Sequence, residues 1–183
     1  LGSSSFALNR VIEAPASIGT LVSALPLGQA YRFDRSSRVT VKLHSGALSA
    51  VGETELLAGA NAAAIGSMEN GWEIVQFRDA ELIGAGLYEI SRFLRGQRGT
   101  EKLAALGCEA GGRFVLLDAA VVQADTSLAA IGSTPVWRIG PAGSDHGDPA
   151  YVEFAHELTG LGLRPLAPCG VRARRDAGDM VIS

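Results

Sequence analysis

Two strand-like runs, Trp72 to Asp79 and Leu87 to Leu94, limit the fold more than any other feature of the sequence. The first carries β-branched and aromatic residues in strand proportion and the second is read as alternating, which fits half-buried strands. Turn chemistry brackets them. Asn70-Gly71 precedes the first run and predicts a type I′ hairpin turn, because both its central residues need positive φ. Gly84-Ala85-Gly86 separates the two runs, and Arg95-Gly96-Gln97-Arg98-Gly99 follows the second. The chain here is a meander of antiparallel strands.

The same pattern recurs on both sides. Val39, Val41 and Leu43 alternate with Thr40, Lys42 and His44, and residues 59–66 form a small-residue segment between glycines, strand or tight loop. Further strands are expected at 113–117, 119–123, 135–140 and 151–158. One short helix is expected near residues 100–107, with Thr100 as N-cap, Glu101 at the positive end of the dipole and Gly107 closing it. The expected class is mainly β: antiparallel β-sandwich or barrel-like units with that single helix. Three segments are expected: 1–108, a β-rich domain whose first 30 residues form an extended arm; 109–172, a second small β unit; and 173–183, the start of a following domain. The initial Leu1 and the strand-like end at Met180-Val181-Ile182 lead us to expect a piece of a longer polypeptide.

Composition narrows the function classes. The 183 residues are 47% hydrophobic and 19% charged, enough apolar material for a core. A net charge of −3 disfavours a sequence-independent nucleic-acid binder, which needs surplus cations to displace counterions. No apolar run reaches the roughly 20 residues of a membrane span, and no secretory leader pattern opens the chain. Cys108 and Cys169 have no CxxC or metal-ligand spacing and are expected to be buried small hydrophobes or inert thiols in a reducing cytoplasm; the sequence leaves a disulfide between them open.

Few residues suggest chemistry. Asp145-His146-Gly147-Asp148-Pro149 could supply metal ligands, but Asp, Gly and Pro are also the ordinary residues of a surface turn, and the turn is favoured. His44 and Ser45 are adjacent in a strand, so their side chains point to opposite faces, and no nucleophile elbow occurs. His156 is expected to be half-buried in a strand. The basic residues concentrate at Arg92, Arg95, Arg98 and Lys102, and again at Arg172, Arg174 and Arg175. Glycine-flanked arginines can bind phosphate or sugar acids. The favoured expectation is structural: Arg95 and Arg98, with Gly96 and Gly99, hold a turn by binding carbonyls and a carboxylate such as Glu101 or Asp79. No catalytic residue, cofactor or metal is predicted, and no enzyme activity.

The pattern Glu73-Ile74-Val75-Gln76-Phe77-Arg78-Asp79-Ala80-Glu81-Leu82, followed by Tyr88 to Arg95 and Gly96-Gln97-Arg98-Gly99-Thr100-Glu101, resembles the large tail-tip (baseplate hub, host-specificity) proteins of siphovirus-like phages and gene transfer agents. The stretches 39–61, 136–143 and 163–176 fit the same resemblance. It implies a structural module of a tail tip, made in the bacterial cytoplasm and carried on the particle. Its partners would be other tail-tip or baseplate proteins, with neither nucleic acid nor membrane insertion. Parent proteins of this kind often carry a glycosidase-like barrel upstream, which nothing in these residues matches. The alternative expectation is a carbohydrate-binding module for host surface polysaccharide, with Trp72, Trp137 and Tyr151 as stacking residues.

Overall fold

The computed structural model describes residues 6–165 and 172–182. The two runs lie in β4 (Gly71–Gly84), the longest strand described, and β5 (Leu87–Gln97), antiparallel across the Ala85-Gly86 link with Gly84 opposite Leu87. With β1 (Ile18–Leu21), β2 (Phe33–Leu43), β3 (Ala62–Ser67) and β6 (Arg113–Leu116) they form a closed barrel. The strand order around it is β1-β2-β5-β4-β3-β6, every pair antiparallel, with β6 closing back onto β1. The mainly β expectation holds in its barrel form. Closure leaves this sheet without an edge, so none of its strands presents a row of unpaired backbone groups. The barrel runs to Leu116, past residue 108, because β6 is the strand that shuts it.

Side chains fill the barrel. Val39, Val41, Val75, Phe77, Ile90, Phe93 and Phe114 are fully buried, and the Phe77 and Phe114 rings meet at 6.1 Å in a tilted pair. A barrel this small has an interior just wide enough for its own residues.

One local irregularity shapes the wall. In a regular strand, residues three apart face opposite sides, yet Ile90 and Phe93 both enter the core. Arg92 lies between them with φ of 58°, a left-handed conformation that resets the alternation. Across β4 the same jump carries the core from Phe77 to Ala80, and on β2 the register slips between Asp34 and Arg38, so that residues 35–37 bulge opposite Arg92. Such bulges bend a strand and re-aim its side chains.

Among the described residues there are two α-helices, not one. The expected helix is α2 (Glu101–Ala104), and Gly107 ends its last turn at φ 73° with its N–H on the Leu103 carbonyl. Thr100 is its N-cap residue, as expected, but its side chain makes no capping bond. Its hydroxyl donates to the Gln97 carbonyl (2.7 Å) and accepts from the Ile74 N–H (3.0 Å), tying the helix to β4. The unanticipated helix, α1 (Glu53–Leu57), is secured where the Glu55 carboxylate reaches back to the Gly52 N–H, and it drives the fully buried Leu56 inward.

Two other expectations are corrected. Asn70-Gly71 does join β3 to β4, but as the end of a three-residue loop: Ser67 pairs with Gly71, and only Gly71 has positive φ, 85°. Residues 119–123 form no strand. The Asp118 carboxylate caps the Ala120 N–H and its carbonyl accepts from Val121, so a turn wins over the apolar alternation.

Beyond the barrel lie two hairpins: β7 (Val136–Ile139) with β8 (Val152–Ala155), and β9 (Ala173–Asp176) with β10 (Asp179–Ile182). The arm before β1 runs to the first of these regions. Asn9 exchanges two hydrogen bonds of 2.9 Å with the Asp125 backbone, and Arg10 pairs with the Asp125 carboxylate.

Candidate functional site

Arg95 is the largest fully buried side chain among the described residues. Strand β5 delivers it to one end of the barrel on the same face as Phe93, where β4 delivers Glu73 on the same face as Val75 and Phe77. The guanidinium makes a bidentate bridge to Glu73, Nε to Oε1 and Nη2 to Oε2, both 2.8 Å. Its Nη1 donates to the Pro26 carbonyl at 2.9 Å and stands 3.5 Å from Asp34 Oδ2. Glu73 also accepts from the Gly96 N–H at 2.9 Å. A Cβ on Gly28 would fall 2.5 Å from Arg95 Nη1, so the segment after Pro26 closes over the pair only because glycine stands there.

Arg95 therefore bonds a carbonyl and carboxylates, and the carboxylates are Glu73 and Asp34 rather than Glu101 or Asp79. Parity explains the choice: Arg95 points into the barrel end, where only inward residues can meet it. Burial pushes the Asp34 carboxyl up, but hydrogen bonds from the hydroxyls and N–H groups of Ser37 and Ser36 outweigh it and bring its pKa down to about 2. Sequence reading missed Glu73 and Asp34. The available signal was Glu73 itself, a charged residue at a core position of an alternating strand, which requires a partner.

Gly96, Arg98 and Gly99 make the turn that follows, with φ of 59°, 54° and 85°. A Cβ on Gly96 would lie 2.8 Å from Glu101 Cα, and one on Gly99 would lie 2.3 Å from the Leu161 carbonyl oxygen. The turn is thus packed between α2 and the later chain. Arg98 contributes its left-handed backbone and leaves its side chain exposed.

The three aromatic candidates separate. Trp72 is half-buried on β4 and stands apart from the other two. Trp137 and Tyr151 line one open groove of about 700 Å³ together with Phe6, Asn9, Arg10 and His146. Arg138 stacks its guanidinium 4.9 Å from the Phe6 ring centroid and bonds Glu153 at 2.8 Å. The Tyr151 hydroxyl donates to the Pro141 carbonyl at 3.0 Å, holding the ring as a fixed wall.

The remaining candidates resolve locally. In the 145–149 loop, Asp145 accepts from the Gly147 N–H and Asp148 from the Ala150 N–H, both at 2.8 Å, as turn carboxylates do. Among the described residues no group of three or more His, Cys, Asp or Glu is placed to hold a metal. His44 Nε2 lies 2.8 Å from Thr20 Oγ1, while Ser45 donates to the Ala16 carbonyl, so the two do not act together. His156 is exposed beyond the end of β8, not half-buried within it. Burial, with the charges of Glu73 and Glu109, raises the pKa of the half-buried Cys108 thiol. Cys169 lies outside the described residues. Arg174 stands on the exposed β9, 3.6 Å from Asp176.

The geometry describes a filled, closed β-barrel with a buried charge cluster that is internally satisfied, and hairpins beyond it. The model of the family described as Rcc01698-like, C-terminal, matches residues 16–115, and the chain belongs to that family. The matched segment begins just before β1 and ends one residue short of the end of β6, so it coincides with the barrel. A comparison with curated proteins found no match.

Proposed function

We propose that the chain is a structural module of a phage-like or gene-transfer-agent tail tip, which works by protein–protein assembly within a baseplate. The observation that carries this reading is the apolar surface of the appended hairpins. Val136, Ile139 and Val152 on β7–β8 are 49%, 55% and 66% exposed, and Met180 and Ile182 on β10 are 65% and 67% exposed. A lone two-stranded hairpin is marginal in water. Strands that show such side chains to solvent gain stability by packing on a neighbouring surface. The resemblance of residues 73–101 to tail-tip proteins supplies the kind of neighbour. Co-expression with tail-tip proteins tests it. The native chain should co-purify with them, and Ile139→Lys with Val152→Lys should abolish association while leaving the melting temperature unchanged. Association that survives both substitutions would remove this surface from the interface.

A second reading, recognition of surface polysaccharide, is favoured by the meeting of Trp137 and Tyr151 in one groove beside Phe6 and Arg10. Two aromatic walls with polar groups between them suit a sugar ring. Titration with host polysaccharide, compared with Trp137→Ala, separates the two readings: no heat at millimolar ligand leaves assembly alone.

A further inference from the structure

The bend in the barrel wall also gathers charge. Arg35, Arg38, Arg78 and Arg92 line a single concave pocket of about 410 Å³, with Phe33, Ser91 and Glu53 completing its rim. Arg35 comes from the bulge of β2, Arg38 from the strand just after it, Arg92 from the left-handed residue of β5, and Arg78 from β4. Between the pairs Phe77–Phe93 and Asp79–Ser91, Arg78 and Arg92 fall opposite each other on adjacent strands. Like charges in that relation repel and destabilise a sheet.

The carboxylates nearby do not balance the cluster. Asp79 alone serves two arginines, Arg92 Nε at 2.9 Å and Arg78 Nε at 3.5 Å. The longer contact lacks hydrogen-bond geometry, and Arg78 Nε is a buried donor without an acceptor. Glu89 takes Arg38 at 2.8 Å. Arg35 has no carboxylate partner among the described residues and lies 6.0 Å from the Phe33 ring centroid. Counting Glu53, Asp79 and Glu89 against four guanidiniums, the pocket keeps a positive charge on a chain whose net charge is −3.

We propose that this pocket binds an oxyanion, the phosphate or carboxylate group of a small ligand. Guanidiniums on three adjacent strands surround the space where such a group would sit, and their planar forks match its oxygens. The left-handed conformation of Arg92 and the bulge of β2 are the local distortions that turn these side chains toward one point. The site is independent of the assembly role, since none of its residues lies on the appended hairpins.

Calorimetric titration of the full chain at low ionic strength tests it, with inorganic phosphate, glucuronate and neutral glucose as probes. Phosphate, glucuronate or both should bind, and glucose should not. Arg35→Gln and Arg92→Gly should each weaken the bound anion about tenfold, the usual effect of losing a charge-assisted hydrogen bond. Arg92→Gly relieves a left-handed side-chain residue, so its melting temperature should hold or rise and lost binding cannot be blamed on lost folding. Arg113→Gln, on β6 away from the pocket, should leave the affinity intact. Binding by phosphate alone assigns a phosphate ester, and binding by glucuronate alone assigns a carboxylate. The proposal falls if neither anion binds at about 50 mM, if glucose binds as well as glucuronate, if binding survives Arg35→Gln and Arg92→Gly, or if Arg113→Gln weakens it equally.

Discussion

Arg95 and Glu73 form a charged pair placed where a barrel of this size would ordinarily put leucine or phenylalanine. Taking both ions out of water is costly, and only the bidentate geometry and the added bonds to Pro26 and Gly96 offset the loss. Removing one partner leaves the other charged and unpaired. Arg95→Met alone, or Glu73→Leu alone, should therefore lower unfolding free energy by about 3–5 kcal/mol, while the double substitution should recover most of that. Denaturant melts of the three variants check this, and a double variant as unstable as the sum of the singles would contradict it. Asp34 gives the cluster a pH dependence. Its pKa in the fold is about 2 against roughly 3.9 in an unfolded chain. The folded state thus binds its proton less readily. The stabilisation, about 2 kcal/mol, is complete above pH 4 and is lost as pH falls toward 2. Acid titration should show Asp34→Asn flattening the stability curve in that window and no other. Cys108 adds a kinetic readout: with its thiol pKa raised by burial and by Glu73 and Glu109, it should alkylate more slowly at pH 8 than a free cysteine. Glu109→Gln should speed it, as peptide mapping after a timed iodoacetamide pulse would show.

At the level of elements, the barrel wall depends on two backbone devices, the left-handed Arg92 opposite the β2 bulge and the close approach of β3 to β4. Replacing Arg92 by glycine removes a left-handed side-chain residue and loses one exposed ion pair with Asp79, so the net change should lie between zero and about 1 kcal/mol of added stability. Gly66→Ala should do the reverse. A Cβ there would lie 2.0 Å from the Gly71 carbonyl oxygen, in backbone that cannot swing aside, and several kcal/mol of stability should be lost. A rise in melting temperature for Gly66→Ala would refute the register of the hairpin. These devices also mark where sequence reading stopped. The strands at 72–79 and 87–94 were legible from their β-branched and aromatic content, and so was the α2 helix, with its acidic start and Gly107 end. The reset at Arg92 was not, because arginine carries no signal for left-handed backbone and only the three-residue spacing of Ile90 and Phe93 records it. Helix α1 escaped because its five residues show barely one turn of periodicity. The Arg95 clasp was half legible: that Arg95 bonds a carbonyl and a carboxylate was expected from the glycines around it, but its partners follow only from strand parity once the barrel has closed.

For the whole molecule, the family match and the barrel share their limits, which makes residues 16–116 the unit that folding must build and the rest of the chain an attachment to it. All six barrel strands pair only with one another, and the cluster from Leu21 to Phe114 is complete without any side chain beyond β6. What the later chain gives back is modest. Asp125 anchors Asn9 and Arg10 of the arm, and the Leu161 carbonyl lies against Gly99. Every residue of β8 is exposed, so the β7–β8 hairpin buries little of its own surface. A chain ended at Asp118 should then melt cooperatively within about 5 °C of the full chain, since surface contacts of this kind contribute about 1 kcal/mol between them. Phe77→Ala in the full chain should cost far more, about 3–5 kcal/mol, because it empties the centre of the barrel. Limited proteolysis gives the same contrast by another route, with first cuts expected between residues 118 and 134 and a resistant fragment containing β1 through β6. If the shortened chain instead lost its cooperative transition while Phe77→Ala kept it, the later hairpins would have to be counted as part of the folding unit, and the barrel could not be treated as a scaffold on which they are carried.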